Sequence, residues 1–244
     1  MTAPNTLKSY ADIETLVQKV QERRIQNISI MEHYRGQSKD TYKLLPNITR
    51  QFTTISGLQI SELTLLQELK NNSKSIQIRL DNELNEKEND WNVLIQAQHL
   101  GKQTRLLDWT LKWQVALWFA VRNPLHDNCN GQFWIFSVPN EIHLTDNRGN
   151  FYKKDLVNLD RTYLINTPIY WSDSLKDQVA EIRRERQFGK FSISPFDLVS
   201  VALNEQSEIA NCFEKYIIHS DSKKEIRKQL ESQGVKEDWL FYNK

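Results

Sequence analysis

Between Trp113 and Val121, inside the stretch TLKWQVALWFAVRNP, apolar residues cover every side of a helix. A helix without a polar face has to be enclosed all round. This segment is therefore read as the central core helix, stopped by Asn123-Pro124 and capped at its start by Thr110 or Asp108. A chain of 244 residues, 39% apolar and 10% aromatic, is long enough to bury one sizeable core or two small ones. A single domain is the simpler reading.

The rest of the pattern supplies the surroundings. Ile13, Leu16, Val17 and Val20 recur at helical spacing and predict an amphipathic helix ending near Gln26. ISIMEHYRG alternates and predicts a strand that brings Arg35 to its end, and KLLPNITRQ reads as a loop. Leu63, Leu66 and Leu69 mark a helix after Ser61, the charged stretch 81–90 reads as a solvated helix or connector, and Trp91, Leu94, Ile95 and Ala97 build a helix that Gly101 terminates. LGKQ is then a turn. GQFWIFSVP, KFSISP, LVSVAL and KYIIHS are strand candidates, and a last helix has a Ser222/Glu225 capping-box pattern, an Ile226/Leu230 inner face and a stop at Gly234. The expected class is α+β, one domain with helices packed around a small mixed β-sheet.

Composition narrows the function. Basic and acidic residues number 32 and 31, a net charge of +1, so no global field draws the chain to nucleic acid or anionic membrane and any anion site has to be local. The two cysteines, Cys129 and Cys212, lack ligand-like spacing, and His33, His126, His143 and His219 form no ligand pattern, so no metal is expected. No run approaches the roughly 20 apolar residues of a membrane helix, and the N-terminus lacks the pattern of an export signal. The expected compartment is the reducing cytoplasm. The phosphate loop, the GxSxG elbow, the HExxH helix and paired CxxC motifs are all missing from the sequence.

Three polar clusters interrupt segments otherwise committed to the core. In Tyr34-Arg35-Gly36-Gln37, a guanidinium at a strand end is suited to paired hydrogen bonds with phosphate or carboxylate, while Gly36 allows another group close to the backbone. A salt link between two elements is the plainer reading of Arg35 taken by itself. The second cluster runs from Gln98-His99 through Thr104, Arg105 and Asp108 to Thr110, read as a helix end and a helix start whose exposed N–H groups can meet an anion. Asp108 is expected to cap that second helix, and is also placed to pair with Arg35 or Arg105. His99 suits proton transfer or stacking, though a lone histidine beside a helix end is more often structural. In the third cluster, EIRRERQFGKF, a solvated helical face accounts for the arginines but not for Gln187 and Gly189 opening an apolar strand.

In combination these residues resemble the FRG domain family, named for an aromatic-Arg-Gly triplet that stands here as Tyr34-Arg35-Gly36. HYRGQ, YKLLPNITR, AQHLGKQTRLLDWT, QVALWFAV, RQFGKF and GVKEDWLF fall in the family's order, which implies an FRG domain over residues 28–241 with a helix in residues 1–27 packed on it. The triplet also resembles, more weakly, the first motif of arginine-class ADP-ribosyltransferases, where that arginine contacts the NAD pyrophosphate. This second resemblance implies an ADP-ribosyltransferase-like fold and an NAD-dependent transferase or NAD glycohydrolase, acting as a toxin or phage-defence effector on a protein or nucleic-acid acceptor. It implies binding of NAD by Tyr34, Arg35, Gly36, Gln37, Thr104, Arg105 and Asp108, and chemistry by His99, Glu181, Glu185 and Gln187. Gln187 stands where a glutamate is expected, with Glu181 or Glu185 as substitutes. The alternatives are a non-catalytic module that binds the phosphate of a nucleotide or nucleic acid, and a scaffold in which Arg35, Arg105 and Asp108 form a buried ion network.

Overall fold

The computed structural model describes residues 5–26, 31–52, 54–73, 86–138, 142–144, 154–165 and 186–241. Strand β1 (Asn5–Leu7) leads into helix α1 (Tyr10–Gln26), which buries Ile13, Val17 and Val20 along one face as their spacing predicts. After β2 (Met31–Gln37) a 3-10 turn at Asn47–Arg50 precedes α2 (Ile55–Asn71). This helix starts before Ser61 because Thr54 caps it, its hydroxyl accepting from the Gly57 N–H. Helix α3 (Glu86–His99) ends at Gly101, whose φ of +74° is the left-handed conformation expected of a terminating glycine. The Lys102 N–H bonds back to Ala97 O and closes that end.

The next elements are β3 (Leu106–Thr110), α4 (Trp113–Val121), β4 (Gly131–Val138), β5 (His143–Leu144), β6 (Tyr163–Ile165), β7 (Gly189–Ile193) and β8 (Phe213–Ile218). The chain's described part finishes with α5 (Lys223–Ser232) and α6 (Glu237–Phe241). Gly234 stops α5 with φ +83°, again as expected, whereas Ser222 is its N-cap without a side-chain capping bond. LVSVAL forms turns rather than a strand, because the Gln206 amide folds it round by donating to Leu198 O and Val201 O.

The eight strands form one mixed sheet in the order β1-β8-β4-β2-β3-β7-β6-β5, antiparallel within and parallel at both edges. Side chains alternate between its faces. Phe133 and Ile135 of β4 join α1, α4 and α5 in one core cluster, while Trp134 and Phe136 join Leu107, Trp109 and Leu203 on the opposite side. Over the other half of the sheet, α2 and α3 pack on Leu106, Phe191 and Ile193. The α4 segment carries Val115, Ala116, Leu117, Trp118, Ala120 and Val121 into the interior, the position its all-round apolarity requires.

The ladder is complete between β2 and β4, which pair over their whole length, and between β3 and β7. β2 and β3 meet at a single pair, Tyr34 with Thr110. Two well-bonded half-sheets are thus joined at one point, and they diverge beyond it. Paired residues share a face, so Tyr34, Thr110, Asp108 and Phe191 all point to the side that carries α4 over one half and α3 over the other.

Lys223, at the start of α5, is enclosed and donates to Ser38 O and His126 O, each at 2.7 Å. Burial holds its ammonium below the ordinary lysine value of 10.5. The folded chain therefore releases this proton at lower pH than the unfolded chain, and stability from this group rises with pH up to 10.5. The neutral amine still has donors for both carbonyls. Lys223→Met leaves both carbonyls unmatched and is expected to cost about 1–3 kcal/mol. Thermal melts should show the gap between wild type and variant widening from neutral pH towards pH 10; a constant gap contradicts the buried charge.

Candidate functional site

Where the half-sheets diverge, a cleft of about 590 Å³ opens between the C-terminal end of α3 and α4. Tyr34, Arg35 and Gly36 from the first cluster, Gln98, His99, Gly101 and Asp108 through Thr110 from the second, and Gln187 with Gly189 from the third all line it. Its volume lies within the roughly 300–1,000 Å³ usual for small-molecule sites. The three clusters singled out in the sequence thus converge on one place, although not every residue in them faces it.

Arg35 occupies the wedge between β2 and β3. Its Nη1 donates to the Asp108 carbonyl, a bond from a side chain where the ladder has run out, and lies 3.9 Å from Asp108 Oδ2. Of the Arg35 side chain 19% is exposed, against 58% for Asp108. Burial draws the guanidinium below the usual arginine range; the Asp108 charge counteracts this and the Arg50 charge adds to it. Nη1 is the one Arg35 nitrogen hydrogen-bonded among the described residues, and Nε is enclosed without a partner.

Asp108 is held from its other side. The Thr104 hydroxyl donates to Gln98 Oε1 at 2.7 Å, which turns the Gln98 amide so that Nε2 donates to Asp108 Oδ2 at 3.1 Å. Thr104 also accepts the Leu106 N–H and is buried, so it positions Gln98 rather than meeting a ligand. The expected capping role of Asp108 is not observed. It lies in the middle of β3, the exposed position in an otherwise buried strand, and α4 begins after Lys112 with no side-chain cap. Thr110 instead donates to Gln187 O and accepts the Lys112 N–H.

Arg105 is absent from the cleft. It is buried against Glu62 of α2, with Nε donating to Glu62 Oε1 at 2.7 Å, Nη1 to Ser194 O at 3.0 Å and Nη2 to Leu156 O at 2.8 Å. Its guanidinium also sits 3.6 Å above the Phe196 ring. Every nitrogen is engaged, which makes Arg105 part of the core. Gln37 is likewise internal: its Nε2 donates to Lys43 O and its Oε1 accepts from Gln132. Gly36 does permit a close approach, but the group that approaches is the backbone of α4.

His99 lines the cleft with its ring 5.6 Å from that of Phe191. Gln187 lines it too, with its amide donating to Leu240 O of α6 at 3.2 Å. Glu181 and Glu185 lie outside the described residues. Asp108 is the one acidic side chain among the described residues lining the cleft. Phe188, between Gln187 and Gly189, has φ +48°, an uncommon conformation for an aromatic residue, and Lys112 Nζ rests 3.9 Å over its ring. The Phe119, Arg122 and Phe241 part of the wall escaped the sequence reading. A charged residue ending a wholly apolar helix was the available signal for Arg122.

A family model, the FRG domain, matches residues 31–129. The chain carries an FRG domain. No curated protein and no solved structure matches the chain. The matched span runs from β2 to just before β4 and contains Arg35, Gln98, His99 and Asp108. Gln187 and the α6 wall of the cleft lie beyond it.

Proposed function

We propose that the cleft binds a nucleotide and that the nucleotide is NAD, used as an ADP-ribosyl donor to water or to an acceptor. The carrying observation is the contrast between a buried arginine, Arg105, and a half-buried one, Arg35. Arg105 has all its nitrogens engaged by protein, whereas Arg35 keeps most of its donors unengaged beside a cavity. A guanidinium so placed is suited to the forked recognition of phosphate. Phe119 and Phe191 provide apolar surface for the rings of a nucleotide.

NAD supplies a glycosidic bond whose cleavage leaves positive charge on the ribose, which a nearby carboxylate stabilises. Asp108 is the candidate for that role, kept in place by Gln98 and exposed to the cleft. Gln187 carries no charge, and its amide is engaged by Leu240 O, so we assign it the positioning of α6. A chain that consumes NAD or modifies an acceptor fits the role of a toxin or phage-defence effector in the cytoplasm. No helix among the described residues is long and apolar enough to cross a membrane. The proposed unit extends over residues 28–241, since the cleft draws on the third cluster and on α6.

The test is nicotinamide release from NAD, with and without nucleic acid and cell lysate, for wild type, Arg35→Ala and Asp108→Asn. Release by wild type and its loss in both variants is the expected result, with lysate dependence indicating transfer. Arg35→Ala should weaken ADP-ribose binding about 10- to 100-fold, the worth of charge-assisted hydrogen bonds. At 100 times its dissociation constant, the ligand should stabilise wild type by about 2.7 kcal/mol. Binding without release in any condition sinks the enzymatic reading and leaves a phosphate-binding module, which the Arg35–Asp108 ion pair favours by neutralising the carboxylate.

A further inference from the structure

Arg122 immediately follows α4, lines the same cleft, and forms no ion pair among the described residues. Its guanidinium lies 5.2 Å from the Trp118 ring, 5.4 Å from Phe119 and 5.4 Å from Phe241. Ring contacts of this kind use the π face of a guanidinium and leave the N–H donors round its edge available. They also restrict the side chain before any ligand arrives, which lowers the entropy lost on binding.

The plain structural account is that Arg122 answers the carbonyls at the C-terminal end of α4. That place is already taken. Arg227 of α5 donates from Nε to Val121 O at 2.7 Å and pairs through Nη2 with Asp127. Arg23 likewise has its carboxylate in Glu214 and Arg105 in Glu62. Within the cleft the only described carboxylate, Asp108, is beside Arg35. Among the described residues the charge of Arg122, an exposed side chain, has no carboxylate counterpart.

We infer that Arg122 is a second anion station of this cleft, the residue that engages the second phosphoryl group of a nucleoside diphosphate. The inference rests on the reading of the cleft as a nucleotide site and adds Arg122 to the residues that hold its phosphates. Arg35 engages one phosphoryl group from the wedge between the half-sheets. Arg122 engages the other from the end of α4, with Phe119 and Phe241 holding its plane.

The test compares AMP with ADP by calorimetry for wild type, Arg122→Leu and Arg122→Lys, alongside thermal melts of each protein without ligand. Wild type should bind ADP about 10- to 100-fold more tightly than AMP, the worth of one charge-assisted contact. Arg122→Leu should abolish that preference while leaving AMP affinity unchanged, and Arg122→Lys should restore part of it. Three results overturn the inference: equal affinity of wild type for AMP and ADP, equal weakening of both by Arg122→Leu, or an Arg122→Leu that melts lower with its ADP preference intact. The last would make Arg122 an anchor for the rings of α6 only. These are binding measurements, so an Arg122-dependent preference for ADP in a protein that releases no nicotinamide upholds the inference while the NAD chemistry falls.

Discussion

Gly36→Ala is expected to destabilise the fold by about 3 kcal/mol or more, at or above the upper end of the usual cost of overpacking. A Cβ at this position would stand 1.7 Å from Ala116 O and 2.8 Å from both Ala116 C and Ala120 N. All three are backbone atoms of α4, so no rotamer change relieves the clash. The helix itself has to move, and six of its nine residues are buried. For a chain of this size each kcal/mol lowers the melting temperature by about 2–4 °C. A fall of about 6–12 °C, or a protein that does not fold, is therefore expected in thermal melts. Gly189→Ala is the control, since a Cβ there meets nothing within 4 Å and its φ is not left-handed. It should melt with the wild type. A Gly36→Ala protein that does the same would refute the contact between β2 and α4.

That contact also revises the meaning of the triplet. Read as a sequence, an arginine beside a glycine suggested one functional unit, with both residues serving an approaching ligand. In the fold they face different tasks. Gly36 lets α4 lie against β2, and Arg35, on the alternate face, reaches into the wedge beside β3. The pairing in sequence makes sense because α4 and the wedge bound the same cleft.

Elements with a strong local pattern were legible: α1 and β2 follow from spacing, α4 and β4 from unbroken apolar runs, and Gly101 and Gly234 mark the ends of α3 and α5. β3 was not. Its sequence, LLDWT, has no clean alternation, because Leu106 packs on α3 while Leu107 and Trp109 pack on the opposite face. Its ladder partner β7 lies some 80 residues away, at a separation no local pattern encodes. Asp108 before a helix therefore looked like a cap. LVSVAL failed in the opposite sense, having strand-like composition while the Gln206 amide holds it in turns. The site was legible as three clusters of residue types, and what remained hidden was which members turn inward, since that depends on partners such as Glu62 for Arg105 and Gln132 for Gln37.

Glu62 carries the second large effect. It is 1% exposed, accepts from Arg105 Nε and from the Arg105 N–H, and faces a guanidinium that is itself 1% exposed. Glu62→Ala strands that charge, because Ser194 O and Leu156 O are dipoles and cannot neutralise it. The expected cost is about 3–5 kcal/mol, or about 6–20 °C in melting temperature. Removing both charges together as Glu62→Leu with Arg105→Met should recover most of that loss, since replacing a whole buried pair with apolar groups is often neutral. The double variant also separates scaffold from site. Arg105 touches no part of the cleft, whereas Thr104 next to it sets Gln98 and, through Gln98, Asp108. A double variant that folds should therefore bind ADP-ribose as wild type does. If it is stable and has lost the ligand, Arg105 belongs to the site after all, and the contrast between the two arginines no longer identifies Arg35 as the phosphate anchor.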